Sequence, residues 1–262
     1  MRGAVLGGPV APIASEDLSP LLTDTYDTFP LANSCIFLAF VLTPWYNKSM
    51  KTSTIYQKSI RSPESGTVLK PGSNNKKLGF KITSKRWEGS RLYSLSLVER
   101  ETCPTSCHHW NDCYGNNMPF AHRFSVDGLE AKLESEIETL IKKHPKGITI
   151  RLHVLGDFYS IEYVNFWQEM LFKYPTLTLF GYSARDGDNI GHQIRLLNSR
   201  FSERCVIRFS RSKEYDSFNR FAAEEGFEGD SFLCPEQTKK VQNCADCGLC
   251  WTTNKTVKFL SH

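Results

Sequence analysis

The chain has 262 residues, 40% of them hydrophobic and 12% aromatic, enough to bury a full core as one main domain. A formal charge of +4 is mild, and thiolate-bound metal would lower it to about +1, which argues against a basic footprint for nucleic acid. The longer N-terminal apolar run, Ala32 to Tyr46, begins too late for a secretory signal, contains Pro44, and falls short of the roughly 20 residues that span a bilayer. No membrane role is expected. The nine cysteines then belong to a reducing, cytoplasmic setting, where close spacing points to metal or redox work in place of disulfides.

The first fifty residues carry few charges and show neither helical nor strand periodicity. Met50 opens a Lys/Ser/Thr-rich stretch to Lys77, interrupted by Pro63, Pro71 and Gly72. Residues 1–75 are expected to form an irregular or flexible arm. A second reading starts natural translation at Met50, which makes the preceding segment an upstream extension.

From Leu78 the pattern becomes regular. Leu92 to Leu97 alternates with period two and leads into a first cysteine group. Asp127 is expected to cap a helix carrying Leu129, Leu133, Ile137, Leu140 and Ile141, which stops before Pro145 and Gly147. Strand Ile148 to Leu155 ends at Gly156-Asp157. Ser160 opens the next helix, through Val164, Trp167 and Leu171, before strand Leu177 to Tyr182. Asp188 starts a helix with Ile190, Ile194 and Leu197, Cys205 to Phe209 is a strand, and Ser212 starts a helix ending near Gly226. Strands alternating with such helices imply parallel βαβ units, so residues 76–262 are expected to fold as an α/β domain. The expected architecture is a partial barrel of parallel strands with alternating helices, plus a cysteine-rich C-terminal segment. Ligands gather at the carboxyl ends of such strands, where Cys103, Gly156-Asp157 and Ser183 to Asp186 fall.

The C-terminal cysteines read Cys234-Pro235, then Cys244-x2-Cys247-x2-Cys250-Trp251. Successive x2 spacings wrap three sulfurs around one cubane, and Cys234 supplies a fourth. Zinc normally takes two separated pairs, although zinc on all four cysteines is the alternative. The first group, Cys103, Cys107 and Cys113, is C-x3-C-x5-C and leaves a fourth iron without an obvious thiolate. An open iron binds a small chelating ligand. The alternatives are closure by Cys205, His108, His109 or His122, or a zinc site. Iron-sulfur clusters, one or two and of the 4Fe-4S type, are the expected cofactors. His153 and Asp157 share the polar side of a strand end and are candidate catalytic residues, while Gly156, Asp157, Ser183 and Arg185 are candidates for holding a cofactor. The competing readings are a core histidine, a capping aspartate and a solvated turn. Cys35 is expected as a free thiol, and Cys205 as a core residue.

Several blocks occur in order: Leu95-x-Leu97-x-x-Arg100-x-x-Cys103-Pro104-x-x-Cys107, Cys113-Tyr114, Arg151-x-His153-x-x-Gly156-Asp157-Phe158, Gly181-Tyr182-Ser183, and the Cys234-Pro235 to Cys250-Trp251 run. Together they resemble the phage gene product 88 family over roughly Lys76 to His262. That resemblance implies a phage origin, an infected host cytoplasm and metal-binding cysteines. More distantly, the architecture is similar to radical S-adenosylmethionine enzymes, in which a three-cysteine loop follows the first strand and a Gly-Gly-Glu segment follows the second. The x5 gap departs from the usual C-x3-C-x2-C loop. This second resemblance implies S-adenosylmethionine as a cofactor, Asp157 holding its amine, and a host ferredoxin or flavodoxin as electron donor. The other functional expectations are a non-catalytic electron carrier or redox-responsive cluster protein, and a zinc-stabilised nucleic-acid-binding module.

Overall fold

The computed structural model describes residues 52–210, 221–224 and 229–260. The first fifty residues, Cys35 and Arg211 lie outside the described residues. Two short strands, β1 (Ile60–Arg61) and β4 (Arg123–Phe124), pair in parallel. The main sheet contains β2 (Lys70–Pro71), β3 (Arg91–Ser94), β5 (Ile148–Leu152), β6 (Leu177–Ser183), β7 (Cys205–Ser210), β8 (Phe221–Glu224), β9 (Ser231–Leu233) and β10 (Thr256–Phe259). Its order is β2-β3-β5-β6-β7-β8-β10-β9. Every neighbouring pair is parallel except β2 with β3. The fold is therefore mixed α/β, with a mostly parallel sheet and alternating helices.

From β3 to β8 the main-sheet strands follow chain order, so right-handed crossovers carry the helices to one face. Those helices are α1 (Leu129–Lys143), α2 (Ile161–Lys173) and α3 (Asn189–Arg200). Leu133, Ile137, Trp167, Ile194 and Leu197 turn inward at helical spacing and meet Ile150, Leu152, Leu179 and Ile207 from the strands. As expected, Ser160 Oγ caps α2 by accepting the Tyr163 N–H, and Asp188 Oδ1 caps α3 by accepting the Gly191 N–H. At α1 the expectation is corrected: the N-cap is Gly128 in the left-handed conformation, with no side-chain cap from Asp127.

The opposite face has its own core. Leu92, Phe180 and Val206 pack there with Leu78, Ile82, Trp87 and Trp251. Trp251 stacks on Trp87 at 5.2 Å between ring centroids and lies 4.7 Å from Phe180. These contacts anchor the short helices α4 (Cys244–Cys247) and α5 (Leu249–Thr252) against the sheet.

Two further expectations change. Phe221–Glu224 forms a strand and not the end of a helix, because its backbone pairs with β7 on one side and β10 on the other. The remainder of that expected helix lies at residues 211–220 and 225–226, outside the described ones. Residues 52–75, assigned to the arm, are packed: Val68 and Leu69 are fully buried in the helix-side core, and β2 pairs with β3. The 75/76 boundary falls inside this packed region.

Candidate metal centre and its cavity

Beyond β3 the chain crosses β4 through a Leu97–Phe124 bridge and enters the three-cysteine loop. The loop is tied from below by a buried ion pair. Arg123 Nε donates to Glu99 Oε2 at 2.7 Å, and the two side chains are 0% and 1% exposed. The rest of the Arg123 guanidinium donates to the Gly115, Met118 and Ala121 carbonyls and to Ser59 Oγ. Arg100, in the left-handed region at φ +69, reaches across to the Trp110 carbonyl and Asn116. Backbone bonds from Cys107 N–H to Pro104 O, and from Asn116 N–H to Cys113 O, close tight turns at the cysteines.

The C-terminal cysteines are held by different elements. Cys234 follows β9, and its N–H donates to the Lys258 carbonyl. Asn243 caps α4, while the Cys244 and Ala245 N–H groups donate to the carbonyls of Lys77 and Leu78. Gly248 joins α4 to α5 at φ +66, where a Cβ would stand 2.4 Å from Ser84 Oγ. Glycine is required there. Arg208 of β7 is buried and donates to the carbonyls of Cys250, Thr253, Lys255 and Phe221. The hydroxyl of Tyr182 donates to Cys250 Sγ at 2.9 Å.

Both groups open on one cavity of about 600 Å³. Cys103, Cys107 and Cys113 line one part, and Cys234, Cys244 and Cys250 another, with Gly156, Asp157 and Ser183 also on the wall. The strand ends deliver it: β5, β6 and β7 contribute lining residues at or just beyond their carboxyl ends, and β8 adds Ala222 and Ala223. Cys247 is half-buried outside the lining, among the neighbours of Cys234 and Cys250. Burial pushes the thiols of Cys103, Cys107, Cys113, Cys244, Cys247 and Cys250 upward. Among the described residues no three His, Cys, Asp or Glu side chains meet closely enough to hold a metal ion. Six thiols line the cavity.

The other expected site residues divide. Asp157 is fully buried at the cavity wall, where burial raises its carboxyl to about 6 despite hydrogen bonds that favour the anion. Its Oδ1 accepts the Phe158 N–H and its Oδ2 accepts the Ala184 N–H, each at 2.7 Å. It thus ties the ends of β5 and β6 together. Gly156 stands at φ +82, and a Cβ there would lie 2.6 Å from Thr102 Oγ1 and 2.8 Å from Leu97 Cβ, so it lets the two strand-end segments touch. Ser183 Oγ accepts the Arg185 N–H. Arg185 is not on the cavity wall: its guanidinium donates to the Phe158 and Thr102 carbonyls and to Asp188.

His153 lines the cavity at 4% exposure and φ +53. Burial, reinforced by the Arg151 charge, lowers its imidazole to about 3, so it is neutral at physiological pH. Nε2 pairs with the Tyr163 hydroxyl at 3.2 Å, and Nδ1 has no partner among the described residues. Cys205 is buried in the helix-side core, outside both groups. Arg151, Tyr182 and Lys77 are cavity residues that sequence reasoning left out. A signal was present for two: Arg151 is two residues from His153 on β5, and Tyr182 sits within Gly181-Tyr182-Ser183 at the end of β6.

These features define a class, an α/β protein with a cysteine-walled cavity at the carboxyl edge of a parallel sheet. Within that class the chain belongs to the gene product 88 family, a phage family, which it matches over residues 67–242. The match includes Cys103, Cys107, Cys113 and Cys234 and stops before the Cys244 to Cys250 run. Comparison with curated proteins and with solved structures finds no match. Among the described residues no helix is long and apolar enough to cross a membrane.

Proposed function

We propose that the protein binds iron-sulfur clusters, one on Cys103, Cys107 and Cys113 with an iron open to the cavity, and one on Cys234, Cys244, Cys247 and Cys250. The observation that carries this reading is the convergence of six of these cysteines, from two distant stretches of chain, on one cavity at the strand ends. The donor set fits. Thiolates are the ligands such clusters take, and the x2-x2 run suits a cubane better than a single tetrahedral ion. The sheet is then read as a segment of a barrel, since β3 to β8 wind in chain order with helices on one face.

In the enzymatic form of this reading the cavity would admit S-adenosylmethionine, and a cluster held by Cys103, Cys107 and Cys113 would pass it one electron from a host ferredoxin or flavodoxin, breaking the sulfur–C5′ bond to release methionine and a 5′-deoxyadenosyl radical that becomes 5′-deoxyadenosine by taking a hydrogen atom from the substrate. The chain's own part is to enclose that molecule and to present a neutral His153 beside the open edge. A non-catalytic electron carrier is favoured by a separate observation. Both Asp157 oxygens already accept backbone N–H groups and Arg185 is turned from the cavity, so two of the residues expected to hold the cofactor are committed to the fold.

Anaerobic purification with iron, sulfide and zinc analysis tests the cluster reading. About eight irons per chain are expected for two cubanes and about four for one; stoichiometric zinc with no iron overturns it. The enzyme and carrier forms separate on whether the reduced protein yields 5′-deoxyadenosine from S-adenosylmethionine.

A further inference from the structure

We propose that the C-terminal centre has the higher reduction potential of the two, and that Tyr182 and Arg151 set it there. This inference rests on the cluster reading above and concerns how the two centres divide their work.

The surroundings of the two cysteine groups differ in sign. At the C-terminal group the Tyr182 hydroxyl donates to Cys250 Sγ at 2.9 Å. The Arg151 guanidinium lies over the same tyrosine ring, 4.4 Å from its centroid, and Arg208 Nε donates to the Cys250 carbonyl at 2.8 Å. Lys77 adds a third cation near Cys244, while Glu236, the acid beside Cys247, is paired with that lysine at 3.4 Å. Three adjacent strands, β5, β6 and β7, thus each send one donor or cation toward the same cysteines. Around the first group the acids outnumber the cations. Asp157 stands beside Cys103 and Cys107, Asp112 beside Cys107 and Glu99 beside Cys113. Arg100 and Arg123 are the cations near Cys113, and Arg123 is spent on Glu99.

Reduction adds negative charge to a cluster. Cations and hydrogen bonds to the sulfurs stabilise the reduced form and raise the potential, and nearby carboxylates lower it. Tyr182 acts through Cys250 and is a positioning residue: its hydroxyl is held over the sulfur by the strand end beneath it and by Arg151 on its ring. An electron delivered by an external reductant therefore comes to rest on the C-terminal centre, and the cavity-facing first centre is reduced only at more negative potential.

The test is an EPR-monitored potentiometric titration of the full chain, purified anaerobically and assayed first for iron and sulfide. Two waves are expected. Replacing both Cys103 and Cys107 with Ser should remove the lower wave and keep the upper one. Tyr182→Phe should shift the upper wave to more negative potential, with the lower wave and the iron content unchanged. Arg151→Gln should shift the same wave in the same direction, which covers the case in which Tyr182→Phe does not fold. The inference is overturned if the upper wave disappears with Cys103 and Cys107, or if the folded Tyr182 and Arg151 variants leave it in place. A chain that binds no iron overturns the cluster reading itself, a result distinct from iron-loaded protein whose waves run the other way.

Discussion

Replacing Arg123 with Met keeps the aliphatic stem and removes the charge, leaving Glu99 buried with, among the described residues, only the Thr54 hydroxyl donating to it. Removing one partner of a buried pair costs about 3–5 kcal/mol, because the other charge has lost its compensation in a medium that solvates it poorly. Against a typical total of about 5–15 kcal/mol, this is about a fifth or more of the stability. With an m-value of about 3 kcal/mol/M the urea midpoint should fall by about 1–1.7 M. The damage should also be local. The carbonyls that Arg123 satisfies, Gly115, Met118 and Ala121, follow Cys113 closely, so on the proposed cluster reading iron should be lost from the first group before the C-terminal one. Adding Glu99→Met to Arg123→Met should recover part of the loss, since no lone charge remains. A midpoint change below about 0.3 M for the single variant, or a double variant less stable than the single, would refute the reasoning.

Three other outcomes are expected. Unfolded His153 binds a proton below about 6.5 but folded His153 only below about 3, so the unfolded chain holds more protons between these values and stability falls as pH drops through the window. Asp157 runs the opposite way, from about 6 folded to 3.8 unfolded, gaining stability as pH falls. His153→Asn tolerates the left-handed backbone and removes only the first effect. Between pH 7 and pH 5 the native chain should therefore lose about 2 kcal/mol more than this variant, read from urea midpoints; equal losses would mean that the imidazole is not held neutral. Gly156→Ala should cost about 1–3 kcal/mol through its positive φ and the contacts with Thr102 and Leu97, and an unchanged melting temperature would count against that close approach. A chain beginning at Met50 should keep the midpoint and the iron content of the full chain, whereas one beginning at Lys76 should not fold, because it discards Val68 and Leu69; a lower midpoint in the first, or a stable second, contradicts the packing described.

The elements legible in the sequence were those with enough residues to show a period. The helices α1 to α3 and the strands β5, β6 and β7 each bury one stripe or run, and their starts at Ser160 and Asp188 carry capping chemistry that works over three residues. β1, β2 and β4 have two residues each, too few for any period, and exist because neighbouring backbone needs partners. The Phe221 segment reads equally as helix or strand by composition, and only the long-range pairing with β7 and β10 decides it. At the site, parallel topology was enough to bring Cys103, Gly156, Asp157 and Ser183 together. It could not reveal that Asp157 spends both oxygens on backbone N–H groups, since those donors belong to turns whose direction is set by packing. Nor could spacing show that Cys234, Cys244 and Cys250 share the same cavity, which depends on Trp251 docking against Trp87 and Phe180.

In the sheet, β10 lies between β8 and β9, both earlier in the chain, and pairs in parallel with each. The earlier strands must leave a gap until the segment Thr256–Phe259 has been made, so this edge of the sheet is completed last during synthesis. The Cys244 to Cys250 turns precede that strand by only a few residues. A ribosome-bound chain can form the three-cysteine loop and the helix-covered strands beforehand, yet its cavity still lacks the opposite wall. The order of strands in space thus imposes an order in time: any group that requires both walls enters after the last strand has been inserted.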